Sequence, residues 1–262
     1  MSIKTKRKYT AEAVLYWAVM ASFVFSLIYV PLRAILDEAY RENTEYRIMI
    51  FQTLFGLIVV NLPSFLTRKF MWHIPKAFSI IFMIFLWGAI FAGEVWEFYY
   101  RIPLWDDILH LISSMMAGAL GFSLIDILNN DRRHNIVNLS PFFVSVFSVA
   151  FAMLIGALWE IYEYTFDGIL GLNMQKFAIE SANTGEILQN LDGRDALEDT
   201  MTDLIVDTLG AMIIATFGYI SLKLKKGWLD TFKVEIARKN ETERDEDGID
   251  KDNNREGNAS TE

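Results

Sequence analysis

Six windows of the chain are nearly free of charge, and the charged residues crowd between them. A helix needs about 20 apolar residues to cross a bilayer, and the backbone in lipid must satisfy its own hydrogen bonds. The windows run from Ala11 to about Val30, Tyr46 to Leu66, Lys76 to Trp96, Leu104 to Leu128, Pro141 to Tyr164, and Asp199 to Leu224. They predict an all-α fold, a polytopic membrane helix bundle with six transmembrane spans. Pro31 is expected to close the first span, and Pro141 to open the fifth from the first helical position.

Composition agrees: 53% of the 262 residues are hydrophobic and 14% aromatic. A soluble domain would spread its charge more evenly. The formal net charge of −9 owes much to the C-terminal segment, so it implies no nucleic-acid partner. The chain has no cysteine, which excludes disulfides and thiolate chemistry. The expected organisation is a basic cytoplasmic tail over 1–10, a six-span membrane domain over 11–226, and a disordered acidic cytoplasmic tail over 237–262. A positive start before an apolar run also fits a signal peptide. The full span length and the bulky Tyr16, Trp17 and Phe23 favour an uncleaved anchor.

Lys and Arg in the loops set orientation. Lys4, Lys6, Arg7 and Lys8 fall on one side with Arg68, Lys69, Lys76, Arg132, Arg133, Lys223, Lys225 and Lys226. The other side holds Arg33, Arg41, Arg47, Arg101, Lys176 and Arg194, mixed with acids. Both termini are therefore expected in the cytoplasm. The outer loop over 165–198 is long, and its Ile169 to Ile179 stretch reads as an interfacial helix.

That topology rests on basic residues alone, yet it brings many acids to the outer face. Span three ends at Glu94 and Glu97, with Arg101 just beyond. Span four begins with Asp106, Asp107 and His110. Span five ends with Glu160, Glu163 and Asp167. Span six begins with Asp199, Asp203 and Asp207. Acids at that depth are costly and point to function. Asp199, Asp203 and Asp207 repeat every four residues, one helical turn apart.

Helical phase agrees as well. Asp106, His110, Ser114, Gly118 and Gly121 share a face, as do Ser145, Ser148, Ala152, Gly156, Glu160, Glu163 and Asp167. The Asp ladder continues into Gly210. Small residues mark helix contact faces in membranes, so these acids point into the bundle. Span three, with Glu94, Glu97 and Arg101, makes a fourth wall of an acidic mouth.

Several close carboxylates cannot all ionise without compensation. Arg101, with Arg33 and Arg194, supplies the nearest cations in sequence. A divalent metal is the economical answer, held by Asp106, His110, Glu160, Glu163, Asp203 and Asp207. The oxygen-rich set with one imidazole suits Mg²⁺, Mn²⁺, Ca²⁺ or iron. His73 and His134 fall on the cytoplasmic side, which excludes a three-His zinc site. His110 and Asp106 are the catalytic candidates, and Glu94, Glu97, Arg101, Asp167, Gln175 and Asp199 the outer-layer or substrate-contacting ones. The plainer reading is a hydrogen-bonded polar core, with Glu97–Arg101 an ordinary ion pair and Asp199 a helix N-cap.

Trp105-Asp-Asp-Ile-Leu-His110, Trp159-Glu-Ile-Tyr-Glu-Tyr164 with Asp167, and Asp199-Thr-Met-Thr-Asp203 with Asp207 and Gly210 resemble a motif set of the YjdF-type family of bacterial integral membrane proteins. Gln175 also looks like part of that pattern. The resemblance spans the third to the sixth window. It implies a helical fold in the bacterial cytoplasmic membrane and the same residues, but no reaction. Three functions fit the residues. One is a metal-dependent hydrolase or transferase at the outer face. The others are a cation or small-solute transporter and a non-catalytic scaffold, and the lipid bilayer is the only partner implied.

Overall fold

The computed structural model describes residues 10–38, 40, 45–130, 139–181, 187–227, 231–232 and 234–236. Residues 1–9 of the tail expected over 1–10 and all of the tail expected over 237–262, together with Arg132, Arg133 and His134, lie outside them. Among the described residues, six helices are long and apolar enough to cross a membrane: Ala11–Leu36, Tyr46–Phe70, Lys76–Val95, Trp105–Ile127, Pro141–Leu170 and Asp195–Leu224. The all-α expectation holds. The only sheet among the described residues is a pair of two-stranded ribbons.

Helix α1 (Ala11–Leu36) starts at Thr10, whose hydroxyl accepts from the Ala13 amide and so satisfies one orphan N–H of the first turn. It does not stop at Pro31, as the sequence reading has it, but continues through that residue to Leu36. Proline inside a helix removes one donor, and a packed membrane helix tolerates this. The continued helix carries Arg33 to Glu97, 3.3 Å away.

The second span is broken. Helix α2 (Glu45–Val59) ends before Asn61, and α3 (Leu62–Phe70) begins with Pro63 in its first turn. Asn61 repairs the break, since its amide donates to the Leu57 carbonyl at 2.8 Å and accepts from Tyr16 Oη at 2.8 Å. Helix α4 (Lys76–Leu86) runs into a nine-residue π-helix over Trp87–Val95. The wider winding leaves the Gly88 carbonyl to accept from the Trp105 indole at 3.2 Å. Glu97 takes a left-handed conformation (φ 59°) and turns the chain into the short α5 (Phe98–Arg101).

Helices α6 (Trp105–Asn130), α7 (Pro141–Leu170) and α8 (Glu198–Leu224) pack against one another as a three-helix core. Ser140 caps α7, with Pro141 at its first position as expected. The buried face of α7 comprises Val144, Ser145, Ser148, Ala152, Gly156, Glu160, Glu163 and Asp167, which is the predicted small-residue stripe running up into the acids. Close approach is visible in side-chain bonds to a neighbouring helix backbone: Ser148 Oγ donates to the Gly118 carbonyl at 2.7 Å, and Ser114 Oγ to that of Asp207. Burying apolar surface against lipid gains little, so such contacts and packing hold a membrane bundle. Ile58, Phe142 and Ile161 stay exposed on the outside, as lipid-facing residues do.

Strand β1 (Trp72–His73) pairs with β4 (Glu235–Ile236). The turn after span two therefore lies beside the segment after span six, at the end of the bundle opposite the acids. The interfacial helix expected over Ile169 to Ile179 is absent. Helix α7 ends at Leu170 with Gly171 in the left-handed cap position, and β2 (Ala178–Glu180) pairs with β3 (Ile187–Asn190). The intervening amides are taken by side chains instead. Asp167 accepts from the Met174 and Gln175 amides at 2.8 and 3.0 Å, and Asn173 bonds both the amide and the carbonyl of Ala178.

Candidate functional site

The three-helix core opens at one end into a carboxylate cluster. Helix α6 contributes Asp106 and His110, α7 contributes Glu160 and Glu163, and α8 contributes Asp199, Asp203 and Asp207. The i, i+3 and i, i+4 spacings put each set on one face. His110, Glu160, Glu163, Asp203 and Asp207 are all buried, with Asp203 and Asp207 only 2% and 1% exposed.

His110 stands at the centre. Its Nε2 lies 3.8 Å from both Asp106 Oδ1 and Asp203 Oδ2, and its Nδ1 lies 3.4 Å from Asp207 Oδ1. The structure places Asp207 on the Nδ1 side and Asp106 on the Nε2 side. Asp207 is deepest and leans on Gly156, where a Cβ would collide with its carboxylate.

Two sets of ligand atoms converge. One atom each from His110, Glu160 and Asp203 lie within 4.8 Å of one another, and so do one each from Asp106, Asp199 and Asp203. Glu160 Oε1, Asp199 Oδ2, Asp203 Oδ2 and both Asp207 carboxylate oxygens are buried without a hydrogen-bond partner. Glu163 differs, because its Oε1 accepts from the Trp159 indole at 2.9 Å.

A loop closes the cluster from outside. Gln175 donates to Thr200 Oγ1 at 2.9 Å, with the Glu160 carboxylate 3.4 Å away. Lys176 places Nζ 2.6 Å from Asp106 Oδ2 and 2.9 Å from Asp199 Oδ1. Burial opposes its charge, but Asp106 and Asp199 outweigh burial and hold its pKa above the ordinary lysine value. Asp199 is therefore not the N-cap. Leu197 occupies that position, and Asp199 sits in the first turn, paired with Lys176.

The span-three acids expected as a fourth wall have partners of their own. Glu97 pairs with Arg33 at 3.3 Å and Arg101 at 2.6 Å, and Glu94 accepts from Gln52 at 3.0 Å. Burial alone would raise the Glu97 pKa, but Arg101 and then Arg33 bring it below the usual glutamate value. Arg33 and Arg101 are thus engaged with Glu97, Arg194 is exposed, and Lys176 is the counter-cation of the cluster.

A family model described as "Predicted membrane protein (DUF2238)" matches residues 11–224. The chain belongs to this family. The matched region contains all six spans, the cluster and the loop that closes it. A Thermotoga maritima protein described as "Uncharacterized protein" is 30% identical over 129 residues, or 48% of this chain and 54% of that protein. The chain thus spans about half the length of the curated relative it matches. No solved structure matches.

Two contributors to the family member's site escaped the sequence reading. Lys176 lies on the expected outer loop, but its place in the site leaves no local signal, because its partners are 70 and 23 residues away. Tyr99 packs its ring on Gly93. Burial first, then the nearby Glu94, Asp106, Glu163 and Asp203, push its phenol well above the ordinary tyrosine value. It stays protonated beside the carboxylates. Its position after a left-handed Glu97 carries no periodic signal.

Proposed function

We propose that this protein holds a divalent cation among His110, Glu160 and Asp203, and works as a metal-dependent hydrolase or transferase on a lipid or extracytoplasmic substrate. The carrying observation is the set of buried carboxylate oxygens without partners around one imidazole. A buried unpaired carboxylate is expensive, and a cation removes that cost. One imidazole among oxygens fits Mg²⁺, Mn²⁺, Ca²⁺ or iron.

The roles follow from position. His110 Nε2, Glu160 and Asp203 are the ligands. Asp207 orients the imidazole through Nδ1, as outer-layer carboxylates do for metal-bound histidines. Glu163, fixed by Trp159, and Asp106, about a quarter exposed at the mouth, are placed to hold or exchange a proton with an incoming group. When bound, the cation supplies polarisation of a phosphoryl or carbonyl oxygen, or activation of water.

Transport fits less well. Below Asp207 the core is closed by tight contacts: Gly210 on Ser114 and Leu111, Gly118 on Ile214, and Gly218 on Phe122. The serines in that region are spent on helix carbonyls, Ser148 on Gly118 and Ser123 on Ala119. We further propose that the YjdF-type resemblance and the loop charges describe the setting, a bacterial cytoplasmic membrane with both termini inside and the cluster outside. A reporter fused to the C-terminus reads cytoplasmic on this view, and an external reading overturns it.

Metal analysis of the purified protein tests the site. Wild type is expected to carry a divalent cation that Asp203→Asn and Glu160→Gln lose while staying folded. Retention by both variants sinks the proposal. Loss of the cation with no change in thermal stability argues against a purely structural tie.

A further inference from the structure

We propose that Lys176 is a built-in cation occupying a second metal position, formed by Asp106, Asp199 and Asp203, so that the site takes one divalent ion with the loop seated and two when Lys176 leaves. The first of these ions rests on the reading above; the second position stands on its own geometry.

Three carboxylates on two helices converge there within 4.8 Å, a spacing one cation can span. Lys176 Nζ sits 2.6 and 2.9 Å from two of them. Divalent ions bind carboxylate oxygens at about 2.0–2.6 Å, so an ion there and the ammonium cannot share the place. The lysine does not satisfy the set. Asp199 Oδ2 and Asp203 Oδ2 remain buried without a hydrogen-bond partner, and Asp203 is 2% exposed. These are spare ligand oxygens of the kind a metal takes and an ammonium, with three donors, leaves over.

Asp203 belongs to both ligand sets, so two ions would share it, as in two-metal sites whose ions clamp one substrate oxygen group. Lys176 is also delivered by a device that can let go. It lies in the left-handed region (φ 47°), which L residues adopt at a conformational cost. The loop is tied down at its neighbours, by the Met174 and Gln175 amides on Asp167 and by the Gln175 side chain on Thr200. Lys176 itself is held by its amide on the Asn173 carbonyl at 3.1 Å, while its side chain is held only at the ammonium end, on Asp106 and Asp199. A substrate bearing its own metal, such as a phosphate or diphosphate ester, would exchange that metal for the ammonium on entry. In its absence the lysine stays paired with Asp106 and Asp199.

The test is Mn²⁺ titration of the full-length protein in detergent, read by calorimetry and electron paramagnetic resonance. Wild type and Lys176→Arg are expected to bind one Mn²⁺ per chain. Lys176→Gln is expected to bind two, with a spin-coupled spectrum, and Lys176→Gln combined with Asp199→Asn returns to one. One ion in both wild type and Lys176→Gln, or two in wild type, overturns the proposal. If wild type binds none but Lys176→Gln binds one that Asp199→Asn abolishes, the second position stands and the first reading falls. If neither binds, both fall. Thermal unfolding of Lys176→Gln confirms that a folded protein is titrated, and Lys176→Met serves should that variant fail to fold.

Discussion

The Asp207 carboxylate occupies the space that a side chain at residue 156 would need; Gly156 is there because Asp207 is. A methyl group on α7 must push the carboxylate away from His110 or spread α7 from α8. Overpacking of this kind costs about 1–3 kcal/mol. Gly156→Ala is therefore expected to lower thermal stability and weaken cation binding together. Gly168→Ala on the same helix has nothing within 4 Å of its new methyl and serves as the neutral control. Equal effects from the two substitutions would refute the packing argument.

Asp207 also separates orientation from ligation. If it acts behind His110, Asp207→Asn keeps an Nδ1 contact of similar shape but loses the negative charge. Outer-layer changes typically cost about 10–100-fold in metal affinity. Asp207→Asn should fall in that range, while Asp203→Asn should bind no measurable cation. Calorimetry with Mn²⁺ compares them, and the reverse order would exchange their roles.

The loop that seats Lys176 is pinned by Asp167. Its carboxylate takes two amide hydrogen bonds, and bonds to a charged group are worth about 1.5–3 kcal/mol each. Asp167→Ala should speed hydrogen exchange of the Met174 and Gln175 amides at least about tenfold, since local opening loses that energy. Amides in the middle of α7 should not change. Unaltered exchange at 174 and 175 would show that the loop is held elsewhere.

How much of this was legible beforehand follows the physics of each signal. The spans, the buried face of α7 and the meeting of His110 with Asp203 and Glu160 were readable, because 3.6-residue periodicity and charge exclusion are local and redundant. Lys176 was not, since a single long side chain bridging Asp106 and Asp199 leaves no pattern in any window. The π-helix over Trp87–Val95 and the passage of α1 through Pro31 depend on neighbours that satisfy the backbone. The hairpin in place of an interfacial helix depends on Asp167 and Asn173 claiming amides several residues on. Glu97 had the right partner in Arg101, and Arg33 joined it only because α1 runs longer than its proline suggests.

Two ion-pair groups outside the spans give opposite pH signatures. Glu97 has a pKa lowered by Arg101 and Arg33, so its stabilisation is present above the unfolded glutamate value and is lost as pH falls through the folded value. Lys176 has a raised pKa, so its stabilisation is complete below the unfolded lysine value and is lost as pH rises through the folded one. The melting-temperature gap between wild type and Glu97→Gln should therefore close in acid. The gap between wild type and Lys176→Gln should persist at neutral pH and close only in strong base. Gaps that close at the opposite ends would contradict both pairings.

The most direct measurement is pulsed electron paramagnetic resonance of Mn²⁺ added to the purified protein. With the ion among His110, Glu160 and Asp203, the spectrum should show nitrogen coupling from one imidazole. That coupling should vanish in His110→Ala, and the bound Mn²⁺ should vanish in Asp203→Asn. Manganese that binds with no nitrogen coupling, or whose signal is the same in wild type, His110→Ala and Asp203→Asn, would contradict a cation site at this cluster.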